Sequence, residues 1–214
     1  MPLPDVAGID QQPRAQQQRD RILCAAKHCF ISDGFHAASM SRIAETAGMS
    51  AGLIYRYFEN KSAIVQAIIA RQLEEHRNKM DTLQTERQLA ERLRELFRAW
   101  REGDPSIMNA ALFLEMTAES TRDERIESTL VNSDRINREN FVDWLRQRGQ
   151  SRGEPQDESR LRARALAMCV FIEGLAVRAV REPHFDQQLL DEAIEMVLGP
   201  LLGTGTEARE KPAA

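Results

Sequence analysis

Residues 39–61 read SMSRIAETAGMSAGLIYRYFENK, and this stretch decides the fold of the chain. Ser39 and Ser50 each precede a short helical segment, as expected for a residue type that favours helix N-caps. Gly48 lies between the two segments, where a sharp bend often requires a positive φ. The stretch therefore predicts two short helices, the second running to about Tyr57, in a helix-turn-helix that fits the major groove of DNA.

Helical patterns extend in both directions from this stretch. Upstream, an apolar stripe predicts a helix from about Arg14 to Ser32 that ends at Asp33-Gly34. Downstream, Asn60 caps a long helix that runs to about Met80. Five further helices are expected over residues 89–102, 107–118, 123–148, 161–182 and 186–202, with a polar loop over residues 149–155. The chain is therefore predicted to be all-α, with a three-helix head, a helical-bundle body and about nine helices.

Composition and charge agree with a globular protein whose two parts differ. Of the 214 residues, 42% are apolar, and the formal net charge is −4. Residues 14–62 carry seven Lys/Arg against four Asp/Glu, whereas residues 63–214 carry 22 against 27. This asymmetry suits a DNA-binding head on an acidic body. The expected organisation is a flexible arm (1–13), a helix-turn-helix DNA-binding domain (14–62), a ligand-binding and dimerisation domain (63–202) and a flexible tail (203–214).

Cysteine use and hydropathy indicate a cytoplasmic protein without a membrane anchor. The three cysteines are too few for a disulfide framework. Cys24 and His28 are spaced i, i+4 with Cys29 adjacent, but ligands on one helix make only half a metal site, so neither a metal nor a cofactor is expected. Cys169 is interpreted as a small core residue. The N-terminus shows no secretory signal, and the longest apolar run, 163–180, contains charges that prevent it from spanning a bilayer.

DNA recognition requires hydrogen bonds to phosphates and short side chains against base edges. Small residues at the start of the second short helix would let it lie deep in the groove, and Tyr55 can place its hydroxyl on a phosphate. Tyr57 could instead be a core aromatic and Lys61 a solvated lysine, while Ser41 and Arg56 are open between solvent and DNA. The predicted DNA-binding residues are Ser39, Ser41, Arg42, Ser50, Ala51, Gly52, Leu53, Tyr55, Arg56, Tyr57 and Lys61.

The same stretch resembles the TetR family of transcriptional regulators, whose hallmark is Thr/Ser-x-x-x-Ile-Ala-x-x-Ala-Gly-Val-Ser-x-Gly-x-Leu-Tyr-x-Tyr-Phe-x-x-Lys. The matching positions are Ser39, Ile43, Ala44, Ala47, Gly48, Met49, Ser50, Gly52, Ile54, Tyr55, Tyr57, Phe58 and Lys61. The body resembles BetI-like regulators at residues 114–119 and 172–175. The resemblance implies a three-helix head, a body that dimerises through its last two long helices, and repression that a small molecule releases. It also implies that Ser50, Gly52, Tyr55, Tyr57 and Lys61 face DNA.

A heptad-like seam in the eighth helix is the expected dimer contact. Its apolar residues step by 4, 3, 4, 3 and 4 positions, which suits shallow-angle packing against another helix. The alternative is that this seam packs inside the monomer. The predicted dimer interface comprises Leu161, Ala165, Met168, Ile172, Leu175, Ala179, Leu190, Ile194, Val197 and Leu198.

An effector pocket is expected among the fifth to eighth helices. Glu115 and Glu119 are spaced i, i+4 and share a helix face, so they would favour a cationic or hydroxylated ligand if that face points inward. A solvated face is the alternative for these two, and plain core packing is the alternative for the apolar residues. The predicted pocket residues are Trp100, Phe113, Glu115, Met116, Glu119, Trp144 and Phe171.

These features predict a homodimeric repressor that a small-molecule effector releases from a pseudo-palindromic double-stranded DNA operator. A regulator that activates, or that needs no ligand, is an open alternative. A helical enzyme is a third hypothesis, but no nucleophile–base pair, metal-ligand set or phosphate-binding glycine loop is visible in the sequence.

Overall fold

The computed structural model describes residues 14–80, 82–83, 85–104, 107, 109–153, 157–182 and 184–203. Within these residues the regular structure is entirely helical, as predicted, in nine helices. The predicted arm and all of the predicted tail except Gly203 lie outside the described residues. Contacts between residues divide the chain into two compact units, one ending at Ile68 and the other beginning at Ile69.

The first unit contains three helices and the start of a fourth. They are α1 (Arg14–Ala37), α2 (Met40–Thr46), α3 (Ala51–Tyr55) and α4 (Lys61–Met80), of which α4 continues into the second unit. α1 runs five residues beyond its predicted end, but Gly34 interrupts it with non-helical backbone (φ 78°, ψ 160°). The apolar core of this unit includes Ile22, Phe30, Ile43 and Ile54, whose side chains are inaccessible to solvent. Burying each such side chain contributes about 1.5–3 kcal/mol.

The second unit contains the remainder of α4 and five more helices. They are α5 (Glu86–Glu102), α6 (Ala110–Ser120), α7 (Glu124–Arg152), α8 (Glu158–Arg181) and α9 (Gln187–Leu202). α7 packs against both α6 and α8, and α5 packs against α8 and α9. Polar side chains cap the start of each of these five helices, with a full capping box at Thr85 and Gln88.

Two helix boundaries in the second unit differ from prediction. The polar loop expected from residue 149 begins later, because α7 continues through Gly149, which is buried, to Arg152. Gly153 ends the helix in the left-handed conformation (φ 67°). α6 begins at Ala110 rather than near Ile107, because the Asn109 side chain accepts hydrogen bonds from two backbone amides and caps it there.

The predicted dimer interface requires correction, because its residues form the inside of the second unit. Seven of the ten are buried in the core of the chain itself: Leu161, Ala165, Met168, Leu175, Leu190, Ile194 and Leu198. Ile172 and Ala179 pack against this core, and Val197 is half-buried. The heptad-like seam of α8 therefore serves helix packing within the monomer, the alternative that its periodicity could not exclude.

Candidate DNA-binding surface and ligand cavity

α3 presents one polar face to solvent and anchors the other in the core. Ile54 is fully buried and Phe58, just after the helix, is nearly so. The Leu53 backbone amide donates to Ser50 Oγ (3.3 Å), which caps the helix as predicted. Tyr55 keeps 55% of its surface exposed. The exposed predicted residues on or next to this helix are Ser50, Ala51, Gly52, Tyr55 and Arg56, while Leu53 and Tyr57 are half-buried.

Gly52 has open space where a side chain would begin. No atom of the protein lies within 4 Å of the Cβ position that an L-residue would add there. A larger residue would therefore meet nothing inside the monomer, so any requirement for glycine at this position must come from what approaches the helix from outside.

The turn between α2 and α3 is tied to α1. Gly48 has the predicted positive φ (64°), a conformation that glycine adopts without steric cost. Arg21 of α1 donates through Nη2 to the Ala47 carbonyl at 2.6 Å. The same Nη2 atom lies 3.1 Å from the position of a Cβ at Gly48. Glycine is thus required here both by backbone geometry and by the neighbouring guanidinium.

A second arginine of α1 fixes the end of the recognition segment. Arg19 donates through Nη1 to the Tyr57 carbonyl (3.2 Å), and its guanidinium carbon lies 4.5 Å from the centre of the Phe58 ring. These contacts orient the exposed face of α3. Arg19 and Arg21 are absent from the predicted site, since their partners lie 38 and 26 positions away and no local pattern marks such contacts.

The start of α2 carries three of the predicted DNA-binding residues. Ser39 caps the helix by accepting from the Arg42 amide (3.1 Å), and Ser41 is exposed. Arg42 pairs with Glu45 (3.1 Å) and with Asp33 (3.5 Å). The hydrogen bond to Glu45, followed by the charge of Glu45 and the contacts with Asp33, raises the pKa of Arg42 above its ordinary value. A contact with DNA would require this arginine to exchange these partners for a phosphate or base.

Lys61 occupies a position that the sequence did not predict. Its Nζ donates to the backbone carbonyls of Phe35 (2.7 Å) and His36 (3.3 Å) at the end of α1. It also lies 4.5 Å from the centre of the Phe35 ring. The ammonium therefore caps the carbonyl end of one helix with the first residue of another. In the structure this lysine holds the first unit together.

The second unit contains a cavity of about 210 Å³. Of the predicted pocket residues, Trp100 and Phe113 line it. The complete lining consists of Ile69, Gln72, Leu73, Glu75, Arg92, Leu96, Trp100, Ile107, Phe113, Leu130, Ser133, Asp134, Asn137, Phe141, Cys169, Ile172, Glu173 and Ala176. We call this space the ligand cavity.

The other predicted pocket residues lie outside the lining of the ligand cavity. Glu115 is exposed, whereas Met116 and Glu119 are buried. Trp144 belongs to the apolar core, and its indole donates to the Leu83 carbonyl at 2.7 Å. Phe171 packs against the same core. The i, i+4 pair of α6 thus divides between solvent and interior, because neighbouring helices cover only one of its two members.

Two carboxyl groups of the ligand cavity were missed by the sequence analysis. Burial raises the pKa of Asp134, and the charge of Arg138 offsets this effect only in part. Burial is also the largest cause that raises the pKa of Glu173, followed by repulsion from Asp134. These residues come from α7 and α8, 39 positions apart in the sequence, so only the tertiary fold brings them to one cavity.

Cys169 lies in the same lining, and its thiol is expected to be unreactive. Burial, with the charges of Glu173 and Asp134, raises its pKa to about 11. At pH 8 we therefore expect iodoacetamide to label Cys169 at least about tenfold more slowly than the exposed Cys24, because the thiolate is the reactive form. Mass spectrometry of peptides from a labelling time course measures both rates. Equal rates at the two cysteines would contradict the placement of Cys169.

An exposed apolar face runs along α8 and α9, opposite their buried seams. Leu166, Val170 and Val180 are exposed on α8, and Leu189 and Met196 on α9. Small residues interleave with them on the same helices: Ala163, Ala167, Gly174 and Ala193 are exposed as well. We call this set the apolar face. Such a contiguous surface is typical of a protein contact.

Searches for other kinds of site give limited results. Among the described residues, no group of three or more His, Cys, Asp or Glu side chains is placed to hold a metal ion. In the same part of the chain, no helix is long and apolar enough to cross a membrane.

Comparison with protein families gives two matches in the chain. Residues 22–68 match the family described as bacterial regulatory proteins, tetR family. Residues 89–199 match the family described as BetI-type transcriptional repressor, C-terminal. The second match alone covers more than half of the chain, and the first contains α2 and α3 with the turn between them.

Individual proteins show a close likeness in the first unit and a shared fold over the whole chain. The HTH-type transcriptional regulator UidR of Escherichia coli (strain K12) is 45% identical over 60 residues, which cover 28% of this chain and 31% of UidR. The chain thus matches less than a third of the length of that relative. Salmonella enterica GusR superimposes with a TM-score of 0.73 at 23% identity, covering 91% of this chain and 100% of GusR. SmeT in complex with triclosan gives a TM-score of 0.69 at 20% identity, covering 92% and 100%.

Proposed function

The chain belongs to the TetR family of bacterial regulatory proteins, with a BetI-type C-terminal half, and we propose that it is a homodimeric repressor that a small molecule releases from its operator. Membership of this family makes it a transcriptional regulator with a DNA-binding helix-turn-helix rather than an enzyme. Its site of action would be the cytoplasm, where the chromosome of a bacterium lies.

The observation that carries the proposal is the exposed face of α3 within the family match over residues 22–68. Small side chains and two potential hydrogen-bond donors, Tyr55 and Arg56, cover this face. Ile54 and Phe58 fix the opposite face in the core. A short helix that is rigidly seated and exposed along one side is suited to base contacts, with flanking groups on the phosphates.

Support for repression and for an effector comes from the second unit. The family description for residues 89–199 names a repressor. The ligand cavity lies in the same unit and has a mixed apolar and polar lining, as small-molecule sites do. SmeT, which shares the fold, has been determined with a small molecule, triclosan. We infer that this chain holds its effector in the ligand cavity.

We assign the dimer contact to the apolar face of α8 and α9 instead of the buried seam. A second copy can cover this face with the same residues, because a two-fold interface is self-complementary. α8 and α9 of the two copies would form a four-helix bundle. The two recognition helices would then read half-sites about one helical turn, roughly 34 Å, apart or somewhat more.

Footprinting on the DNA that flanks the gene of this protein tests the proposed function. We expect protection of a pseudo-palindromic site, with binding that weakens steeply as salt rises, because phosphate contacts release counterions. A compound that enters the ligand cavity should weaken this binding. A protein that protects no site in its flanking DNA and binds all duplexes equally would contradict the proposal.

Tyr55→Phe separates phosphate positioning from base reading. Loss of the hydroxyl should weaken binding to the operator and to an unrelated duplex alike, by about three- to tenfold, the range expected when one hydrogen bond is lost. The salt dependence should stay the same, since no charge is removed. Arg56→Gln provides the comparison, because loss of a base contact should reduce the preference for the operator. Fluorescence anisotropy with both duplexes measures these effects, and an unchanged operator affinity for Tyr55→Phe would exclude the assigned contact.

A further inference from the structure

Asp134 and Glu173 face the ligand cavity without a basic partner in direct contact. Within the described part of the chain, neither carboxyl group makes a hydrogen bond or an ion pair, and the charge of Arg138 acts on both only as a more distant influence. We propose that the ligand cavity selects an organic cation with a compact apolar or aromatic body over neutral and anionic molecules of the same shape. This inference rests on the proposed function, because it assigns a chemical class to the effector.

The remaining charges of the cavity are paired within the protein. Arg92 pairs with Glu95 at 3.3 Å. Glu75 pairs with Arg71 at 3.0 Å and accepts a hydrogen bond from Gln72. The charge that remains for a ligand is therefore negative and comes from Asp134 and Glu173. A buried carboxylate without a partner is unfavourable, and a bound cation would supply that partner.

Two uncharged groups in the lining point to a polar ligand independently of the carboxylates. Ser133 is only 8% exposed, lines the cavity and makes no hydrogen bond within the described residues. Asn137 also lines it, and its buried Oδ1 has no partner. Buried polar groups in folded proteins nearly always have hydrogen-bond partners. A ligand that donates hydrogen bonds, or that brings water with it, would satisfy both groups.

The apolar part of the lining defines the body of the ligand. Trp100, Phe113 and Phe141 contribute aromatic side chains, which bind apolar groups and attract cations to their faces. The volume of about 210 Å³ is below the range of drug-sized pockets. The cavity therefore suits a small amine or quaternary ammonium ion that carries a ring or a short hydrocarbon chain.

Three probes of similar shape and different charge test this inference. They are phenyltrimethylammonium, its neutral carbon analogue tert-butylbenzene, and the anion 4-tert-butylbenzoate. Calorimetric titration of the full chain, without DNA, should show that phenyltrimethylammonium binds about tenfold or more tightly than the neutral analogue, since cation–carboxylate and cation–π contacts add to apolar burial. The anion should bind most weakly of the three.

Removal of the two charges should abolish the preference for the cation. The double variant Asp134→Asn, Glu173→Gln keeps the shapes of both side chains, and the affinities for the cation and the neutral analogue should then differ by less than about threefold. Glu139→Gln is the matched control, because Glu139 is an exposed α7 carboxylate that pairs with Arg135 and lies outside the cavity lining. This control should keep the wild-type preference.

A melting curve distinguishes a binding defect from a folding defect. The ligand-free double variant should melt no lower than the wild type, because carboxamides are easier to bury than carboxylates. Equal binding of the cation and its neutral analogue to the wild type, or absence of cation binding at millimolar concentration, would overturn the inference. Neither result would affect the DNA-binding proposal. A chain that prefers the cation but protects no operator would overturn the proposed function and leave the cation preference standing.

Discussion

Gly52→Leu is expected to abolish operator binding while leaving the fold intact. The open space at Gly52 means that the protein itself accepts a larger side chain there. Leucine also favours helical conformation over glycine by about 0.5–1 kcal/mol, so the variant should be at least as stable as the wild type. If α3 lies against the groove floor, the new side chain occupies space that the DNA needs. Overpacking on this scale costs about 3 kcal/mol, a loss of about a hundredfold in affinity.

Operator titration and thermal unfolding together measure this result. Gly52→Ala should give a smaller loss of affinity, because it adds only one methyl group, so the two variants form a graded series. An unchanged operator affinity for Gly52→Leu would mean that α3 approaches DNA with a different face, and the assignment of the recognition surface would be wrong.

Val170→Arg is expected to convert the dimer into monomers and to remove most of the operator binding. Val170 is 60% exposed in the monomer, so arginine fits there without disturbing the core. In a two-fold contact, each copy would place a charge without a partner in an apolar interface, which costs about 2–5 kcal/mol. A single head then binds a half-site without the gain from simultaneous contact with the second.

Val131→Arg is the matched control for this prediction. Val131 is also 60% exposed, but it lies on α7, away from the apolar face of α8 and α9. Light scattering should show twice the mass of one chain for the wild type and for Val131→Arg, and the mass of one chain for Val170→Arg. A dimer that persists in Val170→Arg would place the contact elsewhere on the protein.

Local signals in the sequence were sufficient to predict the first unit. The two serine caps and the positive φ of Gly48 appear in the structure where the sequence indicates them. Each of these features depends on residues within a few positions of one another, and the hydrogen bonds that define a cap are equally local. The family resemblance was likewise carried by this continuous stretch.

The two faces of α8 show why the dimer contact was placed on the wrong residues. Leu161, Ala165 and Met168 form a regular apolar seam, but Val170 and Leu166 lie on a second apolar surface of the same helix. Periodicity identifies a buried stripe without identifying which protein covers it. The larger residues and the more regular spacing belong to the core of the chain, and the less regular surface is exposed.

The ligand cavity was only partly accessible from the sequence because its residues come from five helices. Trp100 and Phe113 could be named as large apolar residues in the expected region, but so could Trp144, which hydrogen-bonds to Leu83 within the core. Asp134 and Glu173 look like ordinary surface charges in the sequence. Their place in the cavity depends on the angles at which α7 and α8 pack, which no local pattern encodes.

Arg19 and Arg21 have a consequence for attempts to transfer this DNA-reading segment to another scaffold. Both donate to carbonyls of the segment, at Tyr57 and Ala47 respectively. A graft that carries residues 39–58 alone would leave these carbonyls unsatisfied and the inter-helical angle undefined. The smallest portable module is therefore the segment together with the part of α1 that bears these two guanidinium groups. Among natural descendants, a side chain at position 48 would be tolerated only alongside a compensating change at position 21.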